Sequence, residues 1–124
     1  MSFYTDGSVY FLEDSDFDSQ LRFKHNTQGK PMIVEIMGSF CGHCRKAEPM
    51  FREFALKHNN KDAIVATVQM DGSESEKALA KRFSSTIPNF RGVPTFVAFI
   101  NGKYAGTYNG DRSVAGLESF LTQL

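Results

Sequence analysis

Cys41 and Cys44 are the only cysteines in this chain of 124 residues, and they enclose Gly42 and His43. The apolar run Met32–Met37 ends just before them and an amphipathic pattern begins with them, so the tetrapeptide falls at a strand-to-helix junction. A helix starting at Cys41 aims its unpaired N–H groups and positive dipole end at the first sulfur. That environment is expected to stabilise a thiolate and to lower its pKa from a free value of about 8.5 into a range of roughly 3.5 to 7.5. Cys44, one helical turn on, shares the face and can close a disulfide with Cys41. Cys41 thus reads as the nucleophile of thiol–disulfide exchange and Cys44 as the thiol that resolves a mixed disulfide. The competing reading is half of a zinc site. Its remaining ligands would have to come from His25, His43, His58 or a carboxylate, and none stands at a recognisable second-pair spacing. No metal is therefore expected, and no flavin or nucleotide cofactor is implied.

Two neighbours bear on this chemistry. His43 can stabilise the Cys41 thiolate, as a cation or by a hydrogen bond, which makes the disulfide more oxidising; the alternative is an exposed helical histidine without a role. Glu35 lies in an otherwise apolar strand, where an ionised carboxylate costs several kcal/mol unless it is paired. Desolvation should raise its pKa and let it take the proton of Cys44 during resolution. A structural carboxylate paired with a lysine or arginine is the other option. His25 and His58 read only as helix-terminal surface histidines.

The elements that must position these groups alternate in type. Val9–Leu12 reads as a short strand, and Asp16 as the cap of a helix running to about Asn26, with Phe17, Leu21 and the stem of Lys24 inward. Met32–Met37 has the pattern of a central strand covered on both faces. A helix from the cysteines to about His58 carries an inner stripe of Ala47, Met50, Phe51, Phe54 and Ala55, with Pro49 expected to kink it. Ala63–Gln69 reads as a strand and Ser75–Phe83 as a helix capped by Asp71, Ser73 or Ser75. The stretch 84–92 reads as a loop. Thr95–Ile100 and Lys103–Tyr108 form a hairpin about Asn101-Gly102, a type I′ turn signal. A last helix spans about Ser113 to Leu124, with Val114, Leu117, Phe120, Leu121 and Leu124 on one side. The sum is a single α/β domain over residues 1–124, β-α-β-α-β-α-β-β-α around a mixed sheet.

Composition narrows the function classes. Fourteen basic residues balance fourteen acidic ones, so no nucleic-acid or anionic-membrane partner is indicated. No apolar run approaches the ~20 residues that span a bilayer. The first residues show no secretory signal and the last no retention signal, which gives the expectation of a cytoplasmic or other intracellular protein. A chain of this length needs no structural disulfide to bury a core.

The Cys-x-x-Cys opening the second expected helix, Pro49 five residues after Cys44, and Gly92-Val93-Pro94-Thr95 entering the fourth strand together resemble the thioredoxin superfamily over essentially the whole chain. The resemblance implies a thioredoxin fold, a three-layer α/β/α arrangement. His43, Glu35 six residues before Cys41, and Arg112 within Tyr108-Asn109-Gly110-Asp111-Arg112 are similar to a catalytic domain of a protein disulfide isomerase more than to a thioredoxin proper. By that resemblance Arg112 swings toward the cysteines and lowers the pKa of Cys44, and Phe40, Gly42, Val93 and Pro94 contact substrate. Pro94, at the position of a cis-proline facing the dithiol, presents the backbone of Val93 for strand-like pairing with an extended segment. The sequence departs from the pattern at Phe40, where a tryptophan is usual, at Gly38-Ser39, at Thr67, where a strand lysine often partners the buried acid, and in a longer segment 84–90.

The expected activity is a thiol–disulfide oxidoreductase that forms, reduces or isomerises protein disulfides. Protein thiols or disulfides are its substrates, a redox protein recycles it, and the chain is expected to be monomeric. Two alternatives stay open: a thioredoxin-like general reductase, and a non-enzymatic binding or chaperone module using a hydrophobic face around Phe40, Ile87 and Val93.

Overall fold

Strand β2 (Met32–Met37) runs through the middle of a five-stranded sheet, and all six of its residues are buried. The computed structural model describes residues 3–124. The other strands are β1 (Tyr10–Phe11), β3 (Ile64–Gln69), β4 (Thr95–Ile100) and β5 (Lys103–Tyr108), in the sheet order β1-β3-β2-β4-β5. β1 and β2 both run parallel to β3, while β2–β4 and β4–β5 are antiparallel. Helices α1 (Gly42–His58) and α3 (Val114–Thr122) cover one face and α2 (Glu74–Thr86) the other. The three-layer α/β/α fold expected from the sequence is the fold found.

The two-residue period of β2 divides its side chains between two cores. Met32, Val34 and Ile36 join Leu79, Phe83, Val97 and Phe99 beneath α2. Ile33 and Met37 join Phe51, Phe54, Phe96 and Leu117 beneath α1 and α3. Each such side chain contributes about 1.5–3 kcal/mol of burial. Glu35 shares the second face, so the period of the strand drives a carboxylate into an apolar layer, where it is fully buried.

Between β1 and β2 the structure differs from the sequence expectation. The helix expected from Asp16 to about Asn26 does not form; a short 3₁₀ turn at Asp14–Asp16 is followed by an antiparallel bridge between Phe17 and Phe23. Asp18 is the reason. Its carboxylate accepts the N–H groups of Gln20 and Arg22, each at 2.9 Å, its own N–H donates to the Arg22 carbonyl, and Leu21 takes a positive φ of 58°. Short polar side chains that satisfy nearby N–H groups compete with helix formation. Phe17 and Leu21 are nonetheless buried, while Lys24 is exposed. Phe17 lies against Phe23, Phe83 and Phe99.

The second difference lies at 84–86. α2 continues through Ser84 and Ser85 to Thr86, with both serine hydroxyls donating back to carbonyls three residues earlier, and Pro88 ends it by forcing Ile87 into an extended conformation. The expected long loop is shorter by that much. Ser73 alone caps α2, in a reciprocal pair with Glu76. The β4–β5 turn has positive φ at Asn101 and Gly102, as a type I′ turn needs. α3 stops at Thr122, and Leu124 is exposed instead of packing inward.

Candidate active site

α1 begins where β2 delivers the chain to its C-terminal end, and Cys41 is the residue that caps it. The Cys44 N–H donates to the Cys41 Sγ at 3.2 Å, and the sulfur lies 3.6 Å from the Val93 carbonyl oxygen. Cys41 is partly exposed and Cys44 fully buried. Both are free thiols. Burial, and next the hydrogen bond to Cys41, push the Cys44 thiol up to about 12. One sulfur is therefore open to a partner and the other waits, protonated, directly behind it.

Glu35 supplies the polar ground beneath this pair. Burial pushes its carboxyl up to about 8, against the hydrogen bonds from Tyr4 and Thr67 that favour the ionised form. The Tyr4 hydroxyl donates to Oε1 at 2.7 Å and the Thr67 hydroxyl reaches the same oxygen at 3.4 Å. Oε2 is buried without a hydrogen-bond partner among the described residues. The alternative reading, a structural carboxylate paired with a lysine or arginine, is not what the structure holds, because no ion pair reaches Glu35 among the described residues. Its negative charge raises the pKa of Cys44, so the two groups sense one another.

The remaining sequence-selected residues divide into two sets. Val93 and Pro94 sit at the dithiol: the Val93-Pro94 peptide is cis, and Val93 packs against the core that holds both cysteines. Pro94 lines a groove of about 620 Å³ together with Phe90, Arg91, Tyr108 and Arg112, so Arg112 stands on its rim. His43 and Gly42 are exposed on the first turn of α1, and His43 makes no hydrogen bond among the described residues. Phe40 is 63% exposed beside Cys41. Ile87, expected on an exposed apolar face with Phe40 and Val93, is only 5% exposed because it packs under α2 with Leu79 and Phe83. That removes the largest aliphatic side chain from the surface a pure binding module would use.

Two residues of the site are not apparent from spacing. Tyr4 lies in no periodic element; the one signal for it was that Glu35 had to find some donor. Asp71, one of three residues expected to cap α2, instead accepts the N–H of Ser39 at 3.0 Å and the hydroxyl of the same residue. Among the described residues no group of three or more His, Cys, Asp or Glu side chains converges on a possible metal position, so zinc at the two sulfurs finds no further ligands there.

A family model described as Thioredoxin matches residues 8–123. The thioredoxin-like protein 453L of Invertebrate iridescent virus 6 is 31% identical over an alignment of 112 residues that covers 81% of this chain and 81% of that protein. Protein disulfide-isomerase erp38 of Neurospora crassa is 33% identical over 120 residues, 94% of this chain but 29% of the isomerase. Among solved structures, thioredoxin of Schistosoma mansoni superposes with a TM-score of 0.67 at 28% identity, covering 94% of this chain and 96% of that one. The chain thus spans under a third of the isomerase it matches and most of the length of both thioredoxin-like proteins.

Proposed function

The chain belongs to the thioredoxin family, and from that membership we propose a thiol–disulfide oxidoreductase of the isomerase-like kind, acting on protein thiols and disulfides through Cys41 and Cys44. The observation that carries the reading is the asymmetry of the pair: a partly exposed sulfur accepting an N–H at a helix start, backed by a buried thiol above a buried carboxyl.

In the reducing direction the Cys41 thiolate attacks one sulfur of a substrate disulfide, forming the mixed disulfide and releasing the other substrate sulfur as a thiolate. Glu35 then takes the Cys44 proton, and the Cys44 sulfur attacks Cys41. The Cys41–substrate bond breaks, the Cys41–Cys44 bond forms, and the substrate leaves reduced. The same steps reversed oxidise a substrate dithiol. An extended substrate segment is held by backbone pairing at Val93 and by the groove that Pro94 and Arg112 border. Arg112 offers a positive charge to that groove and weakly favours the ionised form of Glu35.

Cys44→Ser removes the resolving thiol, so substrates should stay covalently attached at Cys41 and be identified by mass spectrometry. Recovery of no disulfide-linked protein, with Cys41→Ser giving the same result, would sink the reading.

A general reductase is the second reading, favoured by the likeness to thioredoxin-like proteins over most of their length. The reduction potential separates the two: a value near about −270 mV supports a reductase and one near about −180 mV an isomerase-like exchanger.

A further inference from the structure

Glu35 presents a problem of charge that its neighbours solve in an unequal way. A carboxylate this deeply buried needs donors or a cation. No cation pairs with it among the described residues. Thr67 has one hydroxyl proton, and its Oγ1 lies closer to the Glu35 backbone carbonyl, 3.0 Å, than to Oε1, 3.4 Å. That leaves the Tyr4 hydroxyl, 2.7 Å from Oε1, as the one donor committed to the carboxyl. The phenol ring is fixed by edge-on contacts with Phe3 and Phe51, each with centroids 5.9 Å apart, and is almost wholly buried.

We propose that Tyr4 is a positioning residue for disulfide exchange: its hydroxyl holds Oε1 of Glu35, stands in for a cation, and leaves Oε2 as the oxygen that takes the proton of Cys44. The proposal rests on the exchange function given above. The oxygens are distinguishable because the committed donor, Tyr4, and the more distant Thr67 hydroxyl both lie at Oε1, while Oε2 has no partner among the described residues. Burial and the nearby Glu35 charge keep the phenol itself far above its ordinary pKa, so it stays a donor throughout the working range. Other charged groups acting on Glu35 are Glu48 of α1, which opposes its ionisation, and Arg112 ahead of α3, which favours it; the Cys44 thiol of α1 is the proton donor. Glu48 is itself paired with Arg52 at 2.6 Å.

The test loads Cys41 with thionitrobenzoate from Ellman's reagent and follows its release by stopped flow. Cys44 passes its proton to Glu35 and attacks Cys41, the Cys41–thionitrobenzoate bond breaks, and the coloured thiolate leaves. Wild-type rates should show a pH limb near the Glu35 pKa that E35Q abolishes. Y4F should move that limb upward by roughly one to two pH units, as expected for losing a hydrogen bond to a charged acceptor. Fluorotyrosine in place of Tyr4, a stronger donor of nearly the same shape, should move it downward. Adding Y4F to E35Q should change nothing further. The ¹³C carboxyl signal of Glu35 should titrate with the same shifts, a readout that needs no activity and no trapped substrate. An unmoved carboxyl titration in Y4F, or equal slowing by Y4F with and without Glu35, overturns the proposal. Absence of release from the wild type overturns the exchange reading itself, which the carboxyl titration distinguishes from a failure at Tyr4 alone.

Discussion

Asp71 grips Ser39 with both carboxylate oxygens: Oδ1 accepts the Ser39 N–H at 3.0 Å and Oδ2 accepts its hydroxyl. The clamp joins the end of β3 to the turn between β2 and α1, two residues before Cys41. Arg45 adds a hydrogen bond to the Ser39 carbonyl at 3.0 Å, and Cys41 N–H closes the turn onto the Gly38 carbonyl at 3.2 Å. The position of Cys41 is thus set by a side chain from another strand as well as by its own helix.

Asp71→Ala should leave two donors of Ser39 unanswered and destabilise the fold by about 1–3 kcal/mol. Attack by Cys41 on a model disulfide should slow, and Asp71→Asn should restore part of both losses. Burial would raise the Asp71 pKa, but the hydrogen bonds from Ser39 and Gln69 outweigh it and hold it below the ordinary value. Its contribution is therefore present above the ordinary carboxylate range and lost only as pH falls through the depressed value. Denaturant melts at pH 6 and pH 3 check the sign: the cost of Asp71→Ala should shrink in acid.

The difference in exposure between the two sulfurs predicts strictly ordered alkylation. In the reduced protein, iodoacetamide at pH 7 should label Cys41 and leave Cys44 unmodified until the chain unfolds, since Cys44 is buried with a pKa pushed up to about 12. Peptide mass spectrometry after a timed quench reads this directly. Equal labelling of both residues would contradict the site geometry.

Glu35 should also mark stability. Its folded-state pKa of about 8 lies above an ordinary value of 4.5, so the folded protein binds the proton more tightly than the unfolded chain. Stability from this group is complete below about 4.5, declines as pH rises toward 8, and is level above that. Because Glu35→Gln carries no charge, its stability advantage over the wild type should widen by roughly 1 kcal/mol per pH unit across that window. Paired urea melts at half-unit pH steps test the slope; a constant offset would show that Glu35 is ionised in the fold throughout.

The sequence was readable where one pattern had no competitor. β2 and the β4–β5 hairpin match their expected bounds because a short apolar run buried on both faces and Asn101-Gly102 each admit one solution. The dithiol was legible because both cysteines sit inside four residues. The Asp16–Asn26 helix was misread because Phe17 and Leu21 have helical spacing and are buried, yet Asp18 satisfies the intervening N–H groups better than a helix would. The contacts of Tyr4 with Glu35 and of Asp71 with Ser39 are hidden in the sequence for another reason. Each spans more than thirty residues of chain, and only the assembled sheet brings Tyr4 to Glu35 and Asp71 to Ser39.

His58, read from the sequence as a surface histidine at a helix end, ties α1 to α3 and offers the last prediction. Its Nε2 lies 2.8 Å from Glu118 of α3, its Nδ1 lies 2.9 Å from Asp62, and its ring packs on Phe54 with centroids 4.7 Å apart. Burial alone would lower its pKa; the hydrogen bonds to Glu118 and Asp62 overcome that and hold it above the ordinary value. The imidazolium form is favoured by folding, so the stabilisation is complete below about pH 6.5 and is lost as pH rises through the folded-state pKa. His58→Gln should cost about 1–2 kcal/mol at pH 6 and clearly less at pH 9. Glu118→Gln should lower the His58 pKa by NMR titration while leaving the Glu35 titration in place. Above about pH 6.5 Glu35 and His58 both withdraw stability as pH rises, and measuring the two variants separately divides that shared decline: the Glu35 part survives in His58→Gln, and the His58 part survives in Glu35→Gln.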